Sequence, residues 1–362
     1  MDLSLPSLPF LGGAKHLVGL DIGSHTIKAV ELVPGRAGWT LKSFGKVNLS
    51  PEVIVEGVII NESAVIEAVA ELFAQTKIRT KNVAVSIGGN AVIVKRVAMP
   101  KMAAEDLERN LEAEVAEHIP FPLEEVNVDF EIMGDDPDEP DRMTVYLVAA
   151  KKDMIGELNG VLMSCGVKPI VLDVDTFTVG NAFEVNYPEH LGEPVALVNI
   201  GAATTNINIV QDGRSLFVRD IMRGGYEMTE EIQRALGVSF EEAELFKRGG
   251  DEGSDALIPE EVGSILTNAN AKLAEDIQRT LDYYYNNAGG ERCSRIFLSG
   301  GMSLVGGMDT TIQRRSGIPV ELLNPFRRIR IGGKGIDPLV IEREAPLFAV
   351  AVGLGLRRGF DK

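Results

Sequence analysis

The 362-residue chain is poor in cysteine, in histidine and in positive charge, and it has no apolar run long enough to cross a bilayer. Its two cysteines, Cys165 and Cys293, lie far apart with no CxxC spacing, which argues against a disulfide framework and suits two buried thiols in a reducing compartment. The four histidines, His16, His25, His118 and His190, show no metal-ligand spacing. With 36 Lys and Arg against 53 Asp and Glu, the net charge is −17. Such a surface repels phosphodiester backbones and anionic headgroups, so no nucleic acid is expected as a partner. The longest apolar stretch near the C-terminus, 345–356, is shorter than the roughly 20 residues of a spanning helix. Residues 1–15 lack the basic start and continuous apolar core of a secretory signal, and Pro6 and Pro9 interrupt them, so a flexible arm is expected. These absences together predict a cytosolic protein whose membrane contact, if any, is indirect.

What is present is an ordinary globular composition, 45% hydrophobic and 25% charged, in a chain long enough for two lobes with a cleft between them. From residue 16 the pattern HLVGLDIG, TIKAVEL, WTLKSFGKVNL predicts an antiparallel three-strand meander. Val65, Ile66, Val69, Leu72 and Phe73 recur at helical spacing over 62–76, and the strand NVAVSIGG follows. A second amphipathic helix is expected over 103–118, stopped by Ile119-Pro120-Phe121-Pro122, whose apolar residues read as a core plug. The acidic run 135–141 reads as a solvated hairpin tip before the strand MTVYLVAAKK. Further helices are expected over 153–165, 226–236, 240–247, 262–285 and 345–356, with strands at 169–174, 295–299 and 319–326. Arg327, Arg328, Arg330 and Lys334 form a basic cluster best read as a solvated strand edge.

The chain also repeats itself. PVALVNIGAATTNINIVQDGR restates LVGLDIGSHTIKAVEL, with Asp21-Ile22-Gly23 echoed by Asn199-Ile200-Gly201 and Thr26 by Thr204. A tight turn between strands exposes successive backbone N–H groups that can cradle phosphate oxygens, and Gly23 and Gly201 permit that approach. Asp21 is suited to a hydrated Mg²⁺, and Lys28 to phosphate charge. Gly300-Gly301, between a strand and a helix, reads either as an ordinary strand-to-helix turn or as room for a flat base against the backbone.

The order of these segments resembles the actin and hexokinase superfamily, whose motifs cover most of the chain. LVGLDIGSHTIKAVEL resembles the first phosphate motif, VLDVDTFTVGNAF the first connecting helix, ALVNIGAATTNINIV the second phosphate motif, IFLSGGMSLVGGM the adenosine motif and PLFAVAVGLGL the second connecting helix. The resemblance implies an α/β, actin-like, ribonuclease H-like duplicated two-lobed fold that binds ATP or ADP with Mg²⁺. It places Asp21 and Asn199 at the metal through water. Ser24, His25, Thr26 and Lys28 then lie at the terminal phosphates, with Gly201, Thr204 and Thr205 opposite. Gly300, Gly301 and Met302 border adenine, and Glu244 and Lys247 in EEAELFKR match ribose contacts of bacterial members; for the last pair a solvated helix face is the competing reading. Asp173 and Asp175 are the candidates for positioning a water, since hydrolysis in this fold rests on positioning and charge compensation. Asn199 stands where the superfamily commonly has aspartate, so slow or absent turnover is expected.

An insert of roughly eighty residues containing MPKMAAEDLERNLEAEVAEHIPFPLEEVNVDFEIM separates NVAVSIGG from the first connecting helix, and it resembles the PilM family of type IV pilus assembly. The expected division is 15–88 with 170–192 and 345–362 as the first lobe, 89–169 as the FtsA/PilM-type inserted subdomain, and 193–248 with 293–344, plus 249–292, as the two parts of the second lobe. This resemblance implies a scaffold that captures the N-terminal tail of PilN in a groove between the first lobe and the insert. It implies a cytoplasmic position beneath the inner membrane, held there by partners, contact with the pilus motor ATPases, and self-assembly into a ring. FtsA-like cell-division proteins are the second choice, since they typically carry a C-terminal linker and membrane helix beyond the point where LRRGFDK ends. A small-molecule kinase of the same fold is the third, lacking a side chain poised to activate a hydroxyl.

Overall fold

The computed structural model describes residues 16–36, 38–136, 139–250, 258–287, 290–333 and 335–358. The expected arm at 1–15, Pro137 and Asp138 of the acidic tip, and Lys334 of the basic cluster lie outside them.

The chain opens with the meander β1 (Val18–Ile22), β2 (Thr26–Gly35) and β3 (Gly38–Asn48), paired antiparallel in sequence order. A small hairpin, β4 (Ile54–Val55) and β5 (Val58–Ile59), leads into α1 (Glu62–Thr76). The Asn61 side chain caps α1 by accepting from the Ala64 N–H, and Lys77 ends it in a left-handed conformation. Its buried stripe, Val65, Ala68, Val69, Leu72 and Phe73, lies on the meander. β6 (Asn82–Ile87) then runs parallel to β1.

The insert follows: β7 (Val92–Pro100), α2 (Ala104–Val115), β8 (Val126–Asp135) and β9 (Arg142–Lys151). Its three strands form a sheet of their own in the order β7-β9-β8. Leu107 and Val115 of α2 pack on Val97, Val145 and Leu147, and Ile119 with Phe121 fills the same core, as the proline-bounded segment suggested. The helix is shorter than 103–118 because its last residues loosen into a turn before Pro120. Asp135 at the end of β8 pairs with Met143 at the start of β9, and the described Asp135, Glu139 and Asp141 are exposed, in line with a solvated hairpin connection.

After α3 (Lys152–Ser164), β10 (Lys168–Val174) joins the first sheet parallel to β6, and α4 (Asp175–Asn186) crosses toward the second half. There β11 (Val195–Ile200), β12 (Thr205–Gln211) and β13 (Arg214–Ile221) form a second antiparallel meander. The helices α5 (Gly225–Leu236), α6 (Phe240–Lys247) and α7 (Glu260–Asn287) follow. A reciprocal Ser239–Glu242 capping box fixes the start of α6. β14 (Arg295–Ser299), α8 (Met308–Ser316) and β15 (Val320–Leu322) complete this half. The strand expected over 319–326 stops early, because the chain turns at Asn324 and Pro325. β16 (Arg330–Ile331), α9 (Pro338–Glu344) and α10 (Ala349–Leu356) return to the first half.

The two large sheets run β10-β6-β1-β2-β3-β16 and β13-β12-β11-β14-β15. Apart from the β16 edge they have one topology. Each is a three-strand meander whose first strand pairs parallel with a fourth, and the fourth with a fifth. The repeat in the sequence is therefore a repeat in the fold. Between the sheets lie α4 and α10; α10 is buried nearly all round, and Gly353 permits its crossing, since a Cβ there would lie 1.8 Å from the Thr178 carbonyl oxygen. Leu17 and Ala84 from one half share a core with Val195 and Phe297 from the other through Phe183 and Leu354.

Two expectations need adjustment. Cys293 is buried, but Cys165, just past α3, is only partly so. In the basic cluster, Arg327 and Arg328 both bind the Glu189 carboxylate, while Arg330 lies on the exposed edge strand β16.

Candidate functional site

The turn between β1 and β2 is closed by the Gly23 N–H donating to Thr26 O at 3.3 Å, and that between β11 and β12 by Gly201 to Thr204 O at 2.8 Å. Register is also shared. Asp21 pairs with Lys28 across the first hairpin, and Asn199 with Asn206 across the second. In the first, the Lys28 ammonium binds Asp21 Oδ2 at 2.9 Å; in the second, the Asn199 amide donates to Asn206 Oδ1 at 3.2 Å. One hairpin thus carries charge at the position where the other carries neutral amides.

Both turns line a single cleft of about 700 Å³, a volume ordinary for a small-molecule site. Asp21, Gly23, Ser24, His25, Thr26 and Lys28 face it from one side, and Asn199, Gly201 and Thr204 from the other. The Gly300-Gly301 turn and Met302 form a further wall. Gly300 has φ +84°, and a Cβ would lie 2.3 Å from Ile200 O, so the turn can be made only by glycine. The Ser303 hydroxyl donates to its carbonyl at 2.7 Å and holds the bend.

Glu244 and Lys247 also line the cleft, and the solvated-face reading fails, because both side chains are buried and paired with each other. The Lys247 ammonium further donates to the Thr229 hydroxyl at 2.8 Å and to Gly225 O at 3.2 Å. Desolvation pushes Lys247 below its ordinary pKa despite the pull of Glu244. Desolvation would raise Glu244, but Lys247, Thr229 and His25 outweigh it and hold the carboxyl below its ordinary range.

Across the mouth, the Tyr226 hydroxyl donates to Ser24 O at 2.8 Å, and the His25 ring stands edge-on to Tyr226 at 6.0 Å. Burial lowers the His25 pKa although Glu244, 4.0 Å away, opposes it. The two halves are therefore in direct contact at the phosphate-type turn.

Of the two aspartates proposed to position a water, only Asp175 faces the cleft. Its carboxyl is pushed up to about 7, first by burial and then by Asp21 and Asp220, with the Ser86 hydrogen bond and Lys28 opposing. Asp173 instead pairs with Arg357 at 3.2 Å, behind the strand end. Thr205 is likewise turned away from the cleft, donating to Arg223 O at 2.8 Å. For Thr205 the reason is alternation, since the next residue of β12, Asn206, faces the cleft; Asp173 lies in register with cleft-lining Ser86 and is engaged by Arg357 instead. Two further residues carry no signal in the local sequence. Asn206 lines the cleft and donates to Asp220 Oδ1 at 2.8 Å, while Asp220 Oδ2 accepts the Gly89 N–H at 3.1 Å. Asn206 could have been found as the register counterpart of Lys28; Asp220 could not.

Among the described residues no group of three His, Cys, Asp or Glu side chains could cage a metal. A hydrated Mg²⁺ does not need one, since it is held by one or two carboxylates plus ligand phosphates, and Asp21 with the neutral Asn199 across the cleft fits that demand.

Residues 19–359 match the family model described as type IV pilus assembly protein PilM. The chain belongs to the PilM family. It is similar to a solved structure described as a PilM–PilN type IV pilus biogenesis complex, with a TM-score of 0.85 and 25% identity over 96% of this chain and 100% of that one. It is also 25% identical to the cell division protein FtsA of Bacillus subtilis strain 168 over 256 residues, 64% of this chain and 57% of that protein. The match thus spans a little over half of that curated relative. A structure of MreB 5 of Spiroplasma citri bound to AMPPNP is similar at a TM-score of 0.50 and 14% identity, over 94% of this chain and 95% of that one, which speaks to fold alone. The family, the fold and the insert make this an actin-like protein of type IV pilus assembly.

Proposed function

We propose that the cleft binds ATP or ADP with Mg²⁺ and that the protein is a scaffold for the N-terminal tail of PilN, placed at the cytoplasmic face of the inner membrane by its partners. The observation that carries the nucleotide reading is convergence: two glycine turns in one register, the Gly300 wall and the buried Lys247 face one cavity of nucleotide size. Backbone N–H groups and Lys28 would meet phosphates, and Asp21 and Asn199 would hold water on the metal. Mg²⁺ would supply charge neutralisation at the phosphates. Turnover is slow, because Asn199 adds no charge to the site and Asp175 is the one acidic side chain of the connecting segment facing the cleft.

Likeness across nearly the whole chain to a PilM described in complex with PilN supports the partner reading. An extended peptide gains affinity from main-chain bonds and apolar pockets. β10 is the outer strand of its sheet beside the insert, and its Ile170 and Leu172 are 38% and 39% exposed, so this edge is our candidate for the groove. The test is capture of a synthetic PilN N-terminal peptide with and without ATP and Mg²⁺. Retention by the wild type and loss in an Ile170→Asp, Leu172→Asp variant are expected. No retention under any condition sinks the scaffold reading, and several ATP turnovers per second sink the binding-only reading.

A further inference from the structure

Asp220 sits on β13, two strands away from the metal-type position, and both of its oxygens are engaged. In register, Asn199, Asn206 and Asp220 form a row across β11, β12 and β13. Each link in that row has a fixed polarity. A carboxylate oxygen that receives a hydrogen bond obliges its neighbour to present N–H, so Asn206 must turn its NH₂ toward Asp220 and its oxygen toward Asn199. Asn199 must in turn direct its NH₂ at Asn206. Its oxygen is left on the other side, where the Ser299 hydroxyl donates to it at 3.1 Å beside the Gly300 turn. An isolated amide could flip and offer N–H there instead; anchored by Asp220, it cannot flip without its oxygen meeting the Asn206 oxygen, two acceptors with no proton between them.

We propose that Asp220 is a positioning residue of the cleft: through Asn206 it fixes the Asn199 amide with its oxygen, not its nitrogen, available to accept from a metal-bound water. The inference rests on the nucleotide reading above. Asn199 lacks the charge by which an aspartate would attract a hydrated cation, so the direction of its dipole is all it contributes. A flipped amide would present donors to water protons and repel them. The same carboxylate accepts the Gly89 N–H from the other half of the molecule, just before β7. The amide row is thereby anchored to the strand that enters the insert.

The experiment measures the affinity of a fluorescent ATP analogue with Mg²⁺ and with excess EDTA, in the full chain and in the variants Asp220→Asn and Asn206→Ala. Asn206→Ala breaks the row while leaving the Asp220–Gly89 bond, so the question stays open to test if Asp220→Asn fails to fold. Outer-shell partners of metal sites are typically worth about 10- to 100-fold in metal affinity. Each folded variant should therefore lose about 10-fold or more of the gain that Mg²⁺ gives the wild type, over and above any change it shows in EDTA. A uniform loss in both media would make Asp220 merely structural and overturn the proposal, as would an undiminished Mg²⁺ gain in the variants or a wild type that binds without any gain. A wild type that binds no nucleotide in either medium overturns the nucleotide reading itself, and this inference with it.

Discussion

Lys247→Met isolates the contribution of one buried ion pair to the second half of the molecule. In the wild type the Lys247 and Glu244 side chains are only 6% and 7% exposed, and all three ammonium protons have acceptors: Glu244, Thr229 and Gly225. Methionine is unbranched like lysine and only one heavy atom shorter, so little volume is lost. What changes is that Glu244 is left buried with the Thr229 hydroxyl and His25 as its neighbours. Removing one partner of a buried pair costs about 3–5 kcal/mol, because the other charge remains without compensation. That is a large part of the roughly 5–15 kcal/mol by which a domain is folded.

The assay is urea unfolding followed by far-UV circular dichroism, in a cycle with Glu244→Leu and the double variant. The double variant should return to within about 1 kcal/mol of the wild type or exceed it, since apolar replacement of a whole buried pair is often neutral or stabilising. It should not recover nucleotide affinity, which separates the pair's part in folding from its part in the cleft. The deficit of Lys247→Met also depends on pH. Wild-type Glu244 titrates below its ordinary range, so the stability it contributes is present above the unfolded pKa and lost as pH falls through the folded one. In the variant the stranded carboxyl escapes its penalty by taking up a proton, so the gap between the two proteins narrows toward acid. A single variant within 1 kcal/mol of the wild type at neutral pH would refute the reasoning.

Two further outcomes follow from the same physics. Asp175 has an ordinary pKa of 3.8 and titrates near 7 in the folded chain, so folding takes up a proton in that window. Wild-type stability should therefore fall relative to Asp175→Asn as pH rises from 4 to 7 and level off above; a flat difference between pH 5 and pH 8 in urea midpoints would contradict it. Gly353→Ala places a methyl 1.8 Å from the Thr178 carbonyl oxygen. It should cost at least about 1–3 kcal/mol by forcing α10 off α4. A thermal melt unchanged from the wild type would show that the crossing is looser than the packing indicates.

The duplication was legible because its carriers are local: each glycine turn and its flanking strands lie within about twenty residues, and the same alternation appears twice. Helices were legible where their apolar stripe was written in sequence, as in α1; the caps at Asn61, and at Ser239 with Glu242, are seen in the structure. The order β7-β9-β8 was not, because a short alternating run does not name its partner. The site errors have the same origin. Asp173 and Asp175 are two residues apart and would share a face on a continuous strand, but Asp175 begins α4 and is swung into the cleft while Asp173 stays in β10 with Arg357. The resemblance places both Thr204 and Thr205 at the phosphates, yet one belongs to the turn and the other opens β12 with its hydroxyl on Arg223 O. Asp220 reaches the cleft only through strand register, which no spacing in the chain encodes.

Duplicated halves need not stay equivalent, and here they have diverged in charge at a shared register position that faces the cleft. Asp21 with Lys28 makes the first turn an ion pair; Asn199 with Asn206 makes the second a pair of amides. A second ion pair there would bring another carboxylate toward Asp21, Asp175 and Asp220, whose mutual repulsion already helps to raise Asp175. Amides avoid that cost and still present a directed dipole. The consequence is a division of labour. On the nucleotide reading proposed above, the first half supplies the charge for phosphate and metal, and the second supplies oriented hydrogen bonds. A ligand shifts such an equilibrium only by binding one arrangement better than the other. Because the charged contacts belong to one half and the oriented ones to the other, a ligand that needs both sets is bound best where both turns face one cleft, as they do here.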